Sequence, residues 1–259
     1  MPAEGKKVAI VGAARGIGRE TALRLAGSGH QVVAIDLGDP CPELGYELGN
    51  IGQAGLGESI VRIAGDFRDP DQAFRAAQDA QSRLSGVDQL VVTAGGIVGG
   101  KPLSETPAHE LRLALDFNLV VLHNAVRAFL PVIRRSPDSG SRRLVAVVSV
   151  AGSKGLWGLG AYSAAKHAMV GYLRTLALEL AEERIGVNWV SPGSTRTAML
   201  DRTAALYGLP SVEEFERRQP MGRLIEPGEV AAAIEFLLSE QAAGITGVDM
   251  RVDAGMGLQ

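Results

Sequence analysis

A doubly wound α/β sheet of about seven parallel strands, covered by helices on both faces, is the architecture this sequence predicts. Three observations carry it. Short β-branched runs alternate with amphipathic helical stretches along the whole chain. The strand runs are almost continuously apolar, as strands buried on both faces are. The first of them runs into a glycine-rich turn that opens a helix.

Taken in order, residues 7–11 (KVAIV) form a strand ended by Gly12, and residues 17–26 carry apolar side chains at helical spacing. Gly27 and Gly29 are placed to stop that helix before a second strand, residues 31–35. The remaining strand signals fall at residues 59–65, 88–94, 143–150, 185–192 and 249–255, with helical patterns at 71–84, about 108–134, 161–183 and 227–239. Two stretches break the alternation. Residues 38–57 hold six glycines and two prolines where a crossover helix belongs, so any helix there is short or broken. Residues 194–226 form the longest gap between strands and contain two short helix-like pieces. A segment of this kind, leaving the carboxyl edge of a parallel sheet, is placed to act as a substrate lid, although an ordinary surface connection has the same pattern.

With 259 residues, 46% apolar and 21% charged, residues 1–259 form one large domain with a sizeable core. The net charge of -3 supplies no basic field for nucleic acid or an anionic membrane, so neither partner is expected. No run approaches the roughly 20 apolar residues of a membrane span. The single cysteine, Cys41, has no intrachain partner and no CxxC neighbour, which fits a reducing cytoplasm and argues against a thiolate zinc site. No metal is expected, and small-molecule chemistry is.

The cofactor end is read from Gly12-Ala13-Ala14-Arg15-Gly16-Ile17-Gly18, a GxxxGxG spacing between strand and helix. Glycines there let the backbone approach a pyrophosphate, which the free N–H groups and dipole of the helix then receive. Asp36 ends the second strand, where a carboxylate accepts hydrogen bonds from ribose hydroxyls and repels the 2′-phosphate of NADP. That favours NAD. Arg15 pulls the other way, since its guanidinium is able to pair with the same phosphate. Asp66, after the third strand, faces the adenine amino group or serves as a helix N-terminal acid. Leu37 and Phe67, the neighbours of these two acids, belong to the same pocket.

The chemical end is read from Tyr162 and Lys166, spaced i and i+4 and so on one face of one helix. A fixed cation beside a phenol stabilises the phenolate and equips it to exchange a proton with an alcohol oxygen. Ser149 ends the strand RLVAVVS, at the carboxyl edge where parallel sheets bind ligands. Asn118, polar within an apolar helical stretch, is suited to hold a water or to break one backbone hydrogen bond, with Asn124 as the rival position.

In their order and spacing, GxxxGxG, Asp36, Asn118, Ser149, Tyr162-x-x-x-Lys166 and Ser191-Pro192-Gly193 resemble the classical short-chain dehydrogenase/reductase family over essentially the whole chain. The resemblance implies a tetrad of Asn118, Ser149, Tyr162 and Lys166. Tyr162 would be the acid/base, Ser149 would orient the carbonyl, Lys166 would bind the nicotinamide ribose and Asn118 would support a relay water. It also implies that Pro192 and Gly193, with Thr195 and Thr197, hold the nicotinamide carboxamide, and that the chain forms a homotetramer or homodimer.

The family's Asn-Asn-Ala-Gly is here Val92-Thr93-Ala94-Gly95, and the threonine before the glycine loop is Val11. Local hydrogen bonding is therefore expected to differ, although Thr93, Ala94 and Gly95 still belong to the cofactor pocket. The expected activity is hydride transfer between NAD(H) and a secondary alcohol or ketone. The alternatives are a 3-oxoacyl thioester reductase using NADP(H) and a dinucleotide-binding regulatory protein without turnover. Ser149 lies in VSVAG, which lacks the GxSxG elbow of a serine hydrolase.

Overall fold

A computed structural model describes residues 5–38, 54–57, 59–137 and 140–258. Cys41 and most of the glycine-rich stretch at 38–57 lie outside the described residues. Seven strands form one sheet: β1 (Lys7–Val11), β2 (Gln31–Asp36), β3 (Val61–Ala64), β4 (Gln89–Val92), β5 (Arg143–Val147), β6 (Gly186–Pro192) and β7 (Asp249–Val252). Their order is β3-β2-β1-β4-β5-β6-β7 and every pairing is parallel. The direction of winding reverses between β1 and β4, and the crevice at the carboxyl ends of such a switch is where open α/β sheets bind ligands.

Both faces are covered because both faces of each strand are apolar. Val8, Ile10, Val32, Ala34, Val91, Val145 and Val190 share a core with Leu25 of α1 (Gly16–Gly27) and Ile234 of α7 (Pro227–Leu238). Their alternate neighbours, Ala9, Val33, Ile35, Leu90, Leu144 and Trp189, pack against α2 (Pro70–Leu84), α4 (Val121–Arg134) and α5 (Gly160–Leu180). This is the period-2 alternation of a strand with an apolar residue in both phases. On the second face Phe129 is fully buried, its ring 6.4 Å from that of Phe67.

The structure departs from several expected boundaries: β4 and β7 stop at Val92 and Val252, short of the expected 94 and 255. β3 starts at Val61, two residues later than expected, and β5 stops at Val147, so Ser149 lies beyond the strand and caps a short 3₁₀ turn over Val150–Gly152. The helix expected over 108–134 is α3 (Ala108–Leu115) and α4 joined by a π-helical turn, Asp116–Val120, that contains Asn118. By length and composition this rod, Ala108–Arg134, suffices to cross a membrane, which the short apolar runs of the sequence do not suggest. More than half of its apolar window is buried, as in the core helix of a globular fold.

The expected lid contains α6 (Ala198–Leu206) and a 3₁₀ segment, Val212–Arg218, matching the two helix-like pieces read from the sequence. They share a small core of Leu200, Ala204, Phe215 and Leu224, separate from the two sheet faces. Because Phe129 is sealed against α2 and the sheet, Phe129→Ala should lower stability by about 3–5 kcal/mol. Urea unfolding measures it, and a loss below about 1 kcal/mol contradicts the packing described.

Candidate active site

The site begins where α1 meets the sheet. Gly12 has φ +95°, and a Cβ there would stand 2.3 Å from the backbone nitrogen of Ala94. A Cβ on Gly18 would stand 2.0 Å from the carbonyl oxygen of Gly12 and 2.5 Å from the hydroxyl of Thr93. These contacts bring the start of α1 against the ends of β1 and β4. Gly16, at φ +51°, turns the chain into the helix, and Arg15 at the N-cap places no side chain on the first amides. The first-turn N–H groups therefore face the cavity without an intrahelical acceptor, an arrangement that receives phosphate.

The departure at Thr93 has a structural counterpart. Its hydroxyl donates within 3.1 Å of the Val11 carbonyl and 2.9 Å of the Gly12 carbonyl, tying β4 to the glycine loop where the sequence has valine instead of threonine at position 11.

At the far end of β2, Asp36 accepts from the backbone N–H of Ala14 at 2.9 Å and of Leu37 at 2.8 Å. Burial raises its carboxyl above the ordinary aspartate value, while these two amides and the nearby Arg15 pull it back. The acid at position 66 is otherwise occupied: Arg68 forks onto Asp66, with contacts of 2.6, 3.0 and 3.1 Å, and lies 4.5 Å over the ring of Phe117. The helix N-terminal role falls to Asp69, which accepts from the amides of Asp71 and Gln72. Asn124, the rival of Asn118, donates to the carbonyl of Phe67 at 2.8 Å and so braces this adenosine-side loop.

At the other end, α5 presents Tyr162 and Lys166 on one buried face, with the Lys166 ammonium 5.6 Å from the Tyr162 ring centroid. Lys166 donates to the Val147 carbonyl at 3.3 Å, and burial lowers its ammonium from 10.5 to about 7. The Ser149 hydroxyl oxygen accepts from the Ala151 amide at 3.1 Å. Asn118 spends both amide hydrogens, on the Gly96 carbonyl at 2.9 Å and on Ala114 at 2.7 Å. Its buried Oδ1 has no partner. The π turn is what allows this, since it puts Asn118 out of the regular ladder and toward Gly95.

One cavity of about 410 Å³ joins the two ends. Its wall contains Gly12, Arg15, Gly16, Ile17 and Gly18 from the glycine turn, and Asp36, Leu37, Asp66 and Phe67 from the adenosine end. Thr93, Ala94 and Gly95 follow β4, and Ser149, Tyr162 and Lys166 close the chemical end. Pro192, Gly193, Thr195 and Thr197 complete it from the segment after β6. There Thr195 donates to the Gly193 carbonyl at 3.1 Å and Thr197 to Thr195 at 3.2 Å. Of the residues predicted for the site, Asn118 alone stays out of the wall, behind Gly95.

Sequence reading did not single out Arg68, Phe117, Ile97, Leu156, Leu159, Phe215 or Arg218, all of which line the cavity. The arginine of Asp66-Phe67-Arg68 carried a usable signal, a cation two residues from a candidate adenine ligand. The others are apolar or charged residues with no distinguishing spacing.

These residues fit a nicotinamide dinucleotide. A carboxylate stands at one end, uncapped helix amides in the middle, and a buried polar set with an orphaned Asn118 oxygen at the other. Gly95 is the narrowest point behind the chemical end, since a Cβ there would come within 2.9 Å of Asn118 Oδ1 and 3.5 Å of Lys166 Nζ. Gly95→Ala should push back the Asn118 carboxamide, while Lys166 Nζ stays in ordinary van der Waals contact, and should lower kcat by up to about 100-fold. Steady-state kinetics at saturating cofactor read this, and unchanged kcat would mean that the packing behind the site is slack.

Comparison with known proteins gives the same assignment. A family model described as enoyl-(acyl carrier protein) reductase matches residues 12–257. The chain is 33% identical to (-)-trans-carveol dehydrogenase of Rhodococcus erythropolis, with 99% of each chain covered. It is also 33% identical to acetoacetyl-CoA reductase of an Acinetobacter species, over 97% of this chain and 98% of that one. Among solved structures, carveol dehydrogenase from Mycobacterium avium in complex with NAD superposes with a TM-score of 0.90 at 29% identity, covering 98% and 99% of the two chains. The chain belongs to the classical short-chain dehydrogenase/reductase family, oxidoreductases that transfer hydride to or from a nicotinamide dinucleotide.

Proposed function

We propose that this protein interconverts a secondary alcohol and its ketone with NAD(H), using Tyr162 as the acid/base. The observation that carries the reading is the meeting of Ser149, Tyr162 and Lys166 in one cavity whose other end holds the Asp36 carboxylate. The nicotinamide ring, when bound, supplies or accepts the hydride; the protein supplies orientation and the proton.

Each side chain then has a defined task. The oxygen of Ser149 already accepts from Ala151, so its O–H is left to donate to the substrate oxygen. Tyr162 passes a proton to that oxygen during reduction and takes it back during oxidation. Lys166 uses one N–H on Val147 and keeps two for ribose hydroxyls, whose oxygens favour its charged form against the cost of burial. Asn118 Oδ1, unpartnered and buried, accepts from a water that links Lys166 to solvent.

Asp36 supports NAD over NADP. Both of its oxygens are fixed by backbone amides at the edge of the adenosine end, so a 2′-phosphate there would stand beside a carboxylate that cannot swing away. Residues 194–226 act as the lid over the substrate. Further partners are other copies of this chain, in a tetramer or dimer in the cytoplasm; the net charge of -3 supports neither nucleic acid nor membrane. Reduction of a 3-oxoacyl thioester is the second reading, favoured by the similarity to acetoacetyl-CoA reductase.

Tyr162→Phe should lower turnover by roughly 10²–10⁴-fold while NADH still binds, because only the proton-carrying hydroxyl is lost. A screen of secondary alcohols and ketones with NAD(H) and NADP(H), combined with NADH fluorescence titration, checks both halves; near-wild-type turnover in the variant would sink the mechanism. Since burial raises the Asp36 carboxyl and ribose hydroxyls require it ionised, NADH affinity should fall on acidification, beginning above the pH at which an ordinary aspartate protonates. The dependence should flatten in Asp36→Asn; an unchanged profile in that variant would remove Asp36 from ribose recognition.

A further inference from the structure

Beyond the reacting end, the cavity wall carries a cation that hydride transfer does not use. The wall's two acids, Asp36 and Asp66, both belong to the adenosine end. Among its arginines, Arg15 faces Asp36, Arg68 is forked onto Asp66, and Arg196 is held by Glu213 at 2.9 Å and Glu226 at 3.2 Å. Arg218 differs from these. Among the described residues no carboxylate lies in ion-pair range of it, although its neighbour Arg217 has Glu214 at 3.7 Å.

Two aromatic side chains hold it instead, at the exposed rim of the cavity, and one of its N–H groups donates to the Tyr207 hydroxyl. The guanidinium carbon lies 5.0 Å from the Tyr207 ring centroid and 5.2 Å from that of Phe215. Tyr207 is itself fixed, stacked on Trp157 at 6.3 Å with 23° between planes, and donating its hydroxyl to the Trp157 carbonyl at 2.6 Å. Phe215 is anchored in the small core of the lid. A planar, permanently charged group restrained in this way has its position set before any ligand arrives, and its fork matches a carboxylate.

Between this cation and Tyr162 the wall is apolar. Ile97, Leu159 and Tyr162 form a cluster against which Leu156, Met199, Leu206 and Tyr207 pack. A substrate that fills this space has an apolar body, and its end away from the reacting oxygen meets Arg218. We propose that Arg218 is a specificity-determining residue that selects an alcohol or ketone whose apolar body ends in an anionic group. The inference rests on Tyr162 marking the reacting end, as argued above.

Matched pairs of substrates test it with the full-length protein and NADH. One set is linear methyl-keto carboxylates of increasing length, from levulinate upward, each beside its methyl ester. The other is acetoacetyl-CoA beside the acetoacetyl thioester of N-acetylcysteamine, which lacks the phosphates. In the wild type, kcat/KM should favour the anionic member of a pair by about tenfold or more, the worth of one charge-assisted contact. Arg218→Met should bring the ratio to about one, with the loss falling on KM. Arg218→Lys should restore part of it, and NADH fluorescence titration shows whether the dinucleotide site is intact in each variant.

A preference confined to the keto-carboxylates identifies the anion as a carboxylate; one confined to the thioester pair identifies it as the carrier's phosphate. Turnover of the esters with no preference for the acids or the CoA thioester overturns the inference and leaves the ketone reductase reading standing, as does a preference that survives in Arg218→Met. Absence of turnover with every ketone and thioester overturns both.

Discussion

The close approach of α1 to the ends of β1 and β4 is the constraint on which the site depends. Two missing side chains permit it: neither Gly12 nor Gly18 has room for a Cβ, because Ala94, Thr93 and the Gly12 carbonyl occupy that space. Thr93 then locks the approach by hydrogen-bonding the carbonyls of Val11 and Gly12. Helix amides and strand ends are thus held at one place, and this place is the switch of a parallel sheet. The uncapped helix turn, the position of the Asp36 carboxylate and the close packing of Gly95 on Asn118 follow from that juxtaposition.

A second constraint acts at the chemical end, where polar groups are buried in an apolar wall. Lys166 is held at a cost, since burial brings its ammonium down to about 7. Such a group is sensitive to what joins it, because a ligand that accepts its remaining hydrogens restores the charge that burial removes. Asn118 is similar, with two satisfied hydrogens and an unsatisfied oxygen. That oxygen is one of several buried polar atoms without a protein partner among the described residues, and it lies beside Gly95 at the Tyr162 end of the cavity.

The two ends differ in how specifically they are built. At the adenosine end Asp36 and Asp66 are each fixed by backbone amides or by Arg68, so recognition there leaves little freedom. Beyond Tyr162 the wall is mostly apolar side chains from residues 194–226, which include α6, and from the segment before α5, tied to neither face of the sheet. Those residues pack in clusters of their own, apart from the glycine turn and Asp36, a separation that suits a fold serving many reactions.

Much of this was legible in the sequence because it is local. Strand and helix periodicity placed all seven strands, and the i, i+4 spacing of Tyr162 and Lys166 put them on one helical face. The glycine turn and Asp36 were readable because a tight turn needs particular residues at particular positions. What stayed hidden depends on partners distant in the chain. Arg68 stands two residues from Asp66, but the sequence does not say whether the cation, a ligand or the helix terminus takes that carboxylate, since Asp69 offers an equally good helix cap. The choice between Asn118 and Asn124 required knowing which one faces Gly96 and which faces Phe67. Arg218 reads in sequence as one more surface charge in VEEFERRQP, and only the packing of Tyr207 and Phe215 around it turns it toward the cavity. Sequence alone determined the fold and the placing of Tyr162 and Lys166 on one helical face, because both are written in short-range spacing. Tertiary structure decided which charges are spent on each other and which remain for a ligand, because pairing depends on distances that no local pattern encodes.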